Sequence, residues 1–228
     1  MREYSTTILI AAVITFLVTP IVRKFASKSG AVMKIRARDI HALPTPRWGG
    51  LALWVSVAIT LLIARNLPLV EKSFSRETLG IFVSATFILV LGMIDDRFDL
   101  DPLTKFAGQA LAAAILVLFG VQLLWLPING ILTLPPTIGQ ILTILFVMVV
   151  INAVNFVDGL DGLAVGLVAI SSLSFFAFSY LLAIENGYSR AGTASLMTAL
   201  VLGTCLGFLP HNFFPARIFM GDSGAMFL

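Results

Sequence analysis

The chain has 228 residues, of which 58% are hydrophobic and only 12% are charged, with a net charge of +3 and a mean hydropathy of +0.99. Soluble domains carry roughly a quarter charged residues, so this composition excludes a soluble globular protein. The apolar runs are continuous and do not alternate with polar residues, which also excludes a transmembrane β-barrel. The single cysteine, Cys205, lies inside an apolar run, so a disulfide framework is excluded too.

Apolar segments near the length of a bilayer-spanning helix recur along the whole chain. In chain order, the predicted spans are residues 4–22, 49–64, 79–94, 106–124, 138–154, 160–184 and 194–209, and an eighth begins at Ser223. The first run has no convincing small-residue cleavage site, so we interpret it as a retained helix and not a signal peptide. The sequence therefore predicts an all-α polytopic integral membrane protein.

Residues 123–136, LLWLPINGILTLPP, differ from the spans on either side. An Asn-Gly pair at 129 and 130 separates two short arms that are rich in β-prone residues, and Pro135 and Pro136 close the segment. Asn-Gly between such arms is a strong hairpin signal. We expect a small β-hairpin on the extracytoplasmic face.

The loops between the predicted spans differ in charge on the two sides of the membrane. Most Lys and Arg residues fall in loops 23–48, 95–105, 152–161 and 210–222, which marks this side as cytoplasmic and the N-terminus as external. The same side carries every aspartate and no glutamate: Asp39, Asp95, Asp96, Asp99, Asp101, Asp158, Asp161 and Asp222. Short carboxylates therefore gather at one set of helix ends.

The first acidic motif, GMIDDRFDLDP, ends the third span and contains Asp95, Asp96, Asp99 and Asp101. Carboxylates this close repel one another unless a cation lies among them, and oxygen-only ligands suit Mg²⁺. A solvated acidic turn is the alternative. Lys105 follows at the start of the next span, where it is either a phosphate ligand or a snorkelling anchor.

The second motif, NAVNFVDGLDGL, lies between two long apolar segments and supplies Asn152, Asn155, Asp158 and Asp161. On a helix ending near Asn155, the two asparagines share a face. Ionisable residues near membrane depth are costly, about 2.5–3.5 kcal/mol each on insertion scales, and therefore indicate function. A hydrogen-bonded interhelical loop is the alternative.

Two further motifs lie on the same side. PHNFFPARIFMGDSGAMFL brings Asn212 and Phe219 close in sequence to Asp222, which either serves the site or merely caps a helix. HALPTPRWGG contains His41 and Arg47 at the end of the basic loop, where a lipid-binding basic segment is the alternative.

The motifs PTPRWGG, DDRFDLDPLTKF, NAVNFVDGLDGL and FFPARIFMGDSGAMFL, in this order and on one membrane face, resemble the polyprenyl-phosphate N-acetylhexosamine-1-phosphate transferase superfamily, a glycosyltransferase family 4 type. The resemblance spans almost the whole chain. The PTPRxGG form is similar to the branch that uses UDP-GlcNAc.

The resemblance implies a single transmembrane catalytic domain over residues 1–228 that transfers GlcNAc-1-phosphate from UDP-GlcNAc to undecaprenyl or decaprenyl phosphate and releases UMP. It implies Mg²⁺ as cofactor, with Mn²⁺ as a substitute, and a place in the bacterial plasma membrane with the active site on the cytoplasmic face. The product would begin a cell-envelope polysaccharide such as lipopolysaccharide or arabinogalactan. Nucleic acid is not an expected partner, whereas a homodimer is compatible with the family.

The family's residue roles map onto matching positions of this sequence. Asp222, with Asn155 or Asp158 close by, resembles the metal ligand, and Asp95 and Asp96 resemble the pair that positions or deprotonates the acceptor phosphate. Lys105 resembles the lysine that holds phosphate, and the resemblance implies catalytic roles for Asp95, Asp96, Lys105 and Asp158. The other implied roles belong to substrate-binding residues, which include Asn155: His41 and Arg47 contact phosphate, Asp161 reads the uracil edge, Phe219 stacks on uracil, and Asn212 lines the pocket.

Family members continue past the Asp222 motif through further helices and a loop with a His- and Arg-containing segment. Nothing here resembles that segment, so we expect a C-terminally truncated chain with compromised activity. The alternatives are a phospho-MurNAc-pentapeptide transferase, an inactive membrane scaffold, and a cation-coupled transporter. The transporter would place carboxylates near span centres and would show repeat symmetry. A CDP-alcohol phosphotransferase would need an arginine after DGLDGL.

Overall fold

The computed structural model describes residues 2–32, 45–71, 73–128, 131–185 and 189–228, and this part of the chain is mainly helical. The helices are α1 (Arg2–Ser29), α2 (Gly49–Ala64), α3 (Pro68–Glu71), α4 (Arg76–Phe98), α5 (Pro102–Leu118), α6 (Pro136–Val157), α7 (Leu163–Glu185), α8 (Ser189–Asn212) and α9 (Gly221–Phe227). Among them α1, α4, α6, α7 and α8 are long and apolar enough to cross a membrane, and α2 and α5 are shorter apolar helices. The predicted all-α polytopic membrane class is confirmed.

The acidic motif after the third predicted span is partly helical. α4 continues to Phe98 and therefore includes Asp95 and Asp96 in its last turn. The residue that follows the helix, Asp99, has a left-handed φ of 51°. α5 then begins after Asp101, whose carboxylate caps the helix by accepting a hydrogen bond from the Thr104 amide at 3.0 Å.

Two other boundaries differ from prediction because glycines adopt positive φ. α5 stops at Leu118 and not at 124, since Gly120 has a φ of 92°. The amide of Val121 bonds back to the Leu116 carbonyl at 3.1 Å, as in a Schellman motif. α7 begins at Leu163 and not at 160, after Gly162 with a φ of 73°.

The predicted hairpin is present as a short antiparallel pair. β1 (Trp125–Leu126) pairs with β2 (Leu132–Thr133), with Trp125 opposite Thr133 and Leu126 opposite Leu132. The predicted Asn129–Gly130 turn lies outside the described residues.

Small residues bring α8 into close contact with α1. Gly203 and Gly207 face the backbone carbonyls of Ile8 and Ala12, where a Cβ atom would overlap them. Helices in lipid associate through such close van der Waals packing, because apolar burial alone gives little advantage there. α8 thereby lies at the centre of the bundle, with Phe208 fully buried.

α9 is short and lies against α2 and α4 at two more glycines. A Cβ on Gly92 of α4 would lie 2.5 Å from Ser223 Cα, and one on Gly50 of α2 would overlap the backbone of Ser223 and Gly224. The backbone of α9 thus contacts both neighbours directly. This packing fixes the position of Asp222, in the first turn of α9.

Candidate active site

Three of the predicted motifs meet at one carboxylate oxygen. Asp222 Oδ1 accepts hydrogen bonds from Lys105 Nζ at 2.6 Å and from Asn155 Nδ2 at 2.5 Å. Lys105 also pairs with Asp95 Oδ2 at 2.7 Å. The ends of α4 and α6 and the starts of α5 and α9 therefore converge on a half-buried cluster of charges.

Asp96 contacts the backbone at the start of α9. Its Oδ1 accepts from the Asp222 amide at 2.9 Å and its Oδ2 accepts from the Ser223 amide at 3.0 Å. A carboxylate suits this place because the first amides of a helix lack intrahelical partners and carry partial positive charge. Gly221 has a φ of 70°, and a Cβ there would lie 2.7 Å from Asp96 Oδ2. Asp96 therefore positions Asp222.

The other carboxylates of the first motif have different partners. Asp95 Oδ1 accepts from the Leu100 amide at 2.9 Å while its Oδ2 pairs with Lys105. Asp101 is exposed and caps α5, and its hydrogen bonds to Thr104 lower the pKa of its carboxyl. For Asp101 the structure fits the alternative of a solvated acidic turn, because its carboxylate caps its own helix.

Asp158 follows the last residue of α6 and lies near the same cluster. The pKa of its carboxyl is raised from 3.8 to about 8, mainly by burial and additionally by the negative charges of Asp222 and Asp96, and the positive charge of Arg47 opposes the rise. A carboxyl with this pKa is mainly protonated at pH 7. The site thus has more acidic groups than its own cations neutralise.

Asn212 and Asp161 form hydrogen bonds that connect two loops. Asn212 is buried, and its side chain accepts from the Gly162 amide at 3.1 Å and donates to the Ile218 carbonyl at 3.0 Å. Asp161 Oδ2 accepts from the Ala216 amide at 2.9 Å. These contacts hold residues 158–162 against residues 213–220. The predicted contacts of Asn212 and Asp161 with substrate stay predictions.

The PTPRWGG motif packs beside the third motif. The Phe219 amide donates to the Pro46 carbonyl at 2.8 Å, and the Gly49 amide donates to the Phe219 carbonyl at 3.1 Å. Arg47 is half-exposed, and its amide donates to the Ala31 carbonyl at 2.9 Å. His41 lies outside the described residues. Stacking by Phe219 and phosphate contacts by Arg47 likewise stay predictions.

Gln109 is a polar residue near the site that none of the motifs had singled out. It is fully buried in α5, and its Oε1 accepts from Asn152 Nδ2 at 2.6 Å. The signal was present in the sequence, because Gln109 follows Lys105 by four residues and so shares its helix face.

The donors around Asp222 fit a hard divalent cation. Asp95 and Asp222 supply carboxylate oxygens, which suit Mg²⁺, and Lys105 already supplies positive charge between them. Asn155 turns its Nδ2 to Asp222. Within the described residues, no group of three His, Cys, Asp or Glu side chains could hold a metal ion without other ligands. A site with only one or two carboxylate ligands suits Mg²⁺, which is usually shared between such carboxylates and substrate phosphates.

The chain is similar to several proteins of known family. A decaprenyl-phosphate N-acetylglucosaminephosphotransferase of Mycolicibacterium smegmatis is 44% identical over 100% of this chain and 58% of its own length. A probable undecaprenyl-phosphate N-acetylglucosaminyl 1-phosphate transferase of Bacillus subtilis is 35% identical over 96% of this chain and 58% of its length. The chain thus spans little more than half the length of these relatives.

The chain covers a larger share of a third relative, to which its sequence identity is lower. A phospho-N-acetylmuramoyl-pentapeptide-transferase of Moorella thermoacetica is 31% identical over 100% of this chain and 73% of its own length. The family model "Glycosyl transferase family 4" matches residues 78–228, which include Asp95, Lys105, Asn155 and Asp222. The resemblance read from the four motifs is confirmed, and the chain belongs to glycosyl transferase family 4.

Proposed function

We propose that the protein transfers GlcNAc-1-phosphate from UDP-GlcNAc to polyprenyl phosphate. The observation that carries the proposal is the contact of Lys105 and Asn155 with one oxygen of Asp222, at helix ends that a membrane lipid and a soluble nucleotide can both reach. Relatives named for N-acetylglucosaminephosphotransferase activity support the choice of sugar.

In the proposed reaction, an oxygen of the acceptor phosphate bonds to the β-phosphorus of UDP-GlcNAc. The bond from that phosphorus to the bridging oxygen breaks, and UMP leaves with the electron pair. The acceptor, a phosphate monoester with a second pKa near 6, is already largely ionised at pH 7, so a strong base is unnecessary. The site's main task is to position two anions and neutralise their charge.

The residues divide this task between them. Lys105 binds phosphate, Asp95 orients Lys105, and Asp96 holds the backbone of Asp222. We assign Asp161, Phe219 and Asn212 to the uridine side, and Arg47 and His41 to phosphate, on the strength of the family motifs. Asp222 and Asn155, with Asp158 nearby, would hold Mg²⁺ or Mn²⁺, which neutralises diphosphate charge when bound.

Residues 1–228 then act as one transmembrane catalytic domain in the bacterial plasma membrane. The packing of α1 against α8 supports a single domain. The positive charge of the motif-bearing loops supports a cytoplasmic active site and an external N-terminus.

The second candidate is transfer of phospho-MurNAc-pentapeptide. The relative from Moorella thermoacetica favours it, because the chain covers 73% of that protein. The PTPRWGG motif and the higher identity of 44% to the mycobacterial relative favour GlcNAc.

The test is transfer of label from UDP-[¹⁴C]GlcNAc into butanol-extractable lipid. Membranes containing the protein receive polyprenyl phosphate and Mg²⁺, with Asp222→Asn as the comparison. We expect labelled lipid, released UMP and loss of both in Asp222→Asn. If the protein labels lipid only from UDP-MurNAc-pentapeptide, the second candidate replaces the first.

A further inference from the structure

The residues that meet at Asp222 are backed by a second set one helical turn deeper. The first layer is Lys105, Asn155 and Asp222. The second layer is Gln109, Asn152 and Met226. Gln109 and Met226 each follow their first-layer counterpart by four residues, and Asn152 precedes Asn155 by three. These spacings put the members of each pair on one helix face, separated by about 4.5–6 Å along the axis.

Gln109 connects the three helices of the second layer. Its Oε1 accepts from Asn152 Nδ2 at 2.6 Å, and its Nε2 lies 3.6 Å from Met226 Sδ, a weak acceptor. Asn152 Nδ2 also donates to the Met148 carbonyl at 2.8 Å. Because that carbonyl can only accept, Asn152 must present its nitrogen, and Gln109 must then present its oxygen. The orientation of both amides is fixed.

This contact sets the register of α5 against α6. Apart from Lys105, Asn155 and this contact, the sequences of α5 and α6 are mainly apolar, so few directional contacts define their register. Gln109 is fully buried, and a shift would leave its amide without a partner in an apolar setting. A single buried amide specifies register in coiled coils for the same reason.

We propose that Gln109 is a positioning residue that holds Lys105 and Asn155 on the same oxygen of Asp222. A slip of α5 moves Lys105 away from Asp222, while Asn155 and Asp222 stay on their own helices. The catalytic purpose of placing Lys105 and Asn155 at Asp222 rests on the proposed function. The role of Gln109 in that placement does not.

The first test is kinetic and uses the whole protein in nanodiscs. The variants are Gln109→Met, Asn152→Leu, both together, and the exchange Gln109→Asn with Asn152→Gln. A misplacement near 1 Å costs about 10²-fold in rate, so we expect kcat to fall at least about tenfold in each single variant while KM for UDP-GlcNAc changes little. We expect kcat of the double variant to be no lower than that of the single variants, and the exchange variant to recover part of the lost kcat.

The matched control is Ser195→Ala. Ser195 Oγ donates to Ser179 Oγ at 3.1 Å in another buried contact, between α8 and α7, and neither helix carries Lys105, Asn155 or Asp222. We expect this variant to lower thermal stability and leave kcat unchanged. Single variants that keep kcat within about twofold, or losses that multiply in the double variant, overturn the proposal.

The second test does not depend on turnover. A water-soluble carbodiimide joins an ammonium to a carboxylate in direct contact, and both Lys105 and Asp222 are partly accessible. Peptide mass spectrometry then measures Lys105–Asp222 and Lys105–Asp95 amides. Gln109→Met is expected to reduce the first amide severalfold and spare the second, and an unchanged ratio overturns the proposal. If the wild-type protein transfers no donor sugar, the proposed function fails, and this ratio still decides the role of Gln109.

Discussion

Lys105 donates to carboxylates from two different helices, so its positive charge neutralises both Asp95 and Asp222. We expect Lys105→Met to lower kcat by about 10²–10³-fold, the cost of removing one well-placed electrostatic donor. Divalent-cation affinity should not fall, because Asp95 and Asp222 remain. Lys105→Arg should rescue poorly, since a planar guanidinium cannot replace a compact ammonium.

Steady-state kinetics and Mn²⁺ binding by electron paramagnetic resonance measure the two quantities separately. Lys28→Met, at the basic end of α1, is the control for lost charge. Equal kcat in Lys105→Met and Lys28→Met would exclude a catalytic role for Lys105.

The raised pKa of Asp158 leads us to expect that cation binding depends on pH. Its pKa is raised from 3.8 to about 8 by burial and by neighbouring carboxylates, so below pH 8 its carboxyl keeps a proton that an ordinary aspartate has lost. A cation at Asp222 must compete with that proton, so affinity should rise as pH increases from 6.5 to 8.5. Without a cation the same shift makes the folded protein less stable as pH rises between 3.8 and about 8.

Mn²⁺ titrations at several pH values check this expectation. Asp158→Asn carries no titrating proton and should flatten the profile. A wild-type affinity that stays constant from pH 6.5 to 8.5 would contradict the assignment.

At this scale the sequence predicted which residues lie together better than it predicted their individual contacts. Asp222, Asn155, Lys105 and Asp95 meet as their motifs indicated. The two hydrogen bonds of Asp96 were not predicted, because its partners are backbone amides, which every residue except proline carries.

Among the helices, α9 depends on Asp96 for the hydrogen bonds of its first backbone amides. Asp96→Asn offers one acceptor oxygen where two backbone amides need partners, so one amide loses its bond. We expect a loss of about 1–3 kcal/mol in stability, together with a fall in kcat, because the helix carries Asp222. Thermal unfolding in detergent, with Asp101→Asn as an exposed comparison, measures the difference. Equal melting temperatures for wild type and Asp96→Asn would show that Asp96 does not hold α9.

The contact of α4 with α9 gives a steric prediction. A methyl group at residue 92 would lie 2.5 Å from Ser223 Cα, so the backbone of α9 must move. Gly92→Ala should therefore lower the melting temperature and abolish most activity. Gly166→Ala is the matched control in α7, because a Cβ there meets nothing within 4 Å. Similar behaviour of the two variants would show that this contact is not needed.

Helix positions were predicted from apolar length, and helix ends were predicted less well. The last turn of α4 was missed because Asp95 and Asp96 look like residues that stop a helix, whereas here their partners on α5 and α9 stabilise them inside it. The early end of α5 depends on Gly120, whose positive φ the apolar run conceals.

The charge pattern of the whole molecule predicts its orientation. Arg2 and Arg217 are both exposed and lie on opposite predicted sides. Single cysteines at these positions, treated with a membrane-impermeant maleimide on intact cells, should label at residue 2 and not at residue 217. Cys205 is fully buried and serves as an internal blank. Labelling at 217 alone would reverse the orientation and place the site outside.

The bonds between Asp96 and the start of α9 also constrain how the protein is made. When Asp96 leaves the ribosome, the amides that it will bind have not yet been synthesised, and 126 residues separate it from the first of them. Until then its carboxylate must remain near the aqueous side of the translocon or keep a proton. α9 follows α1 to α8 in the chain, so the contacts of Asp222 can form only after those eight helices have been synthesised.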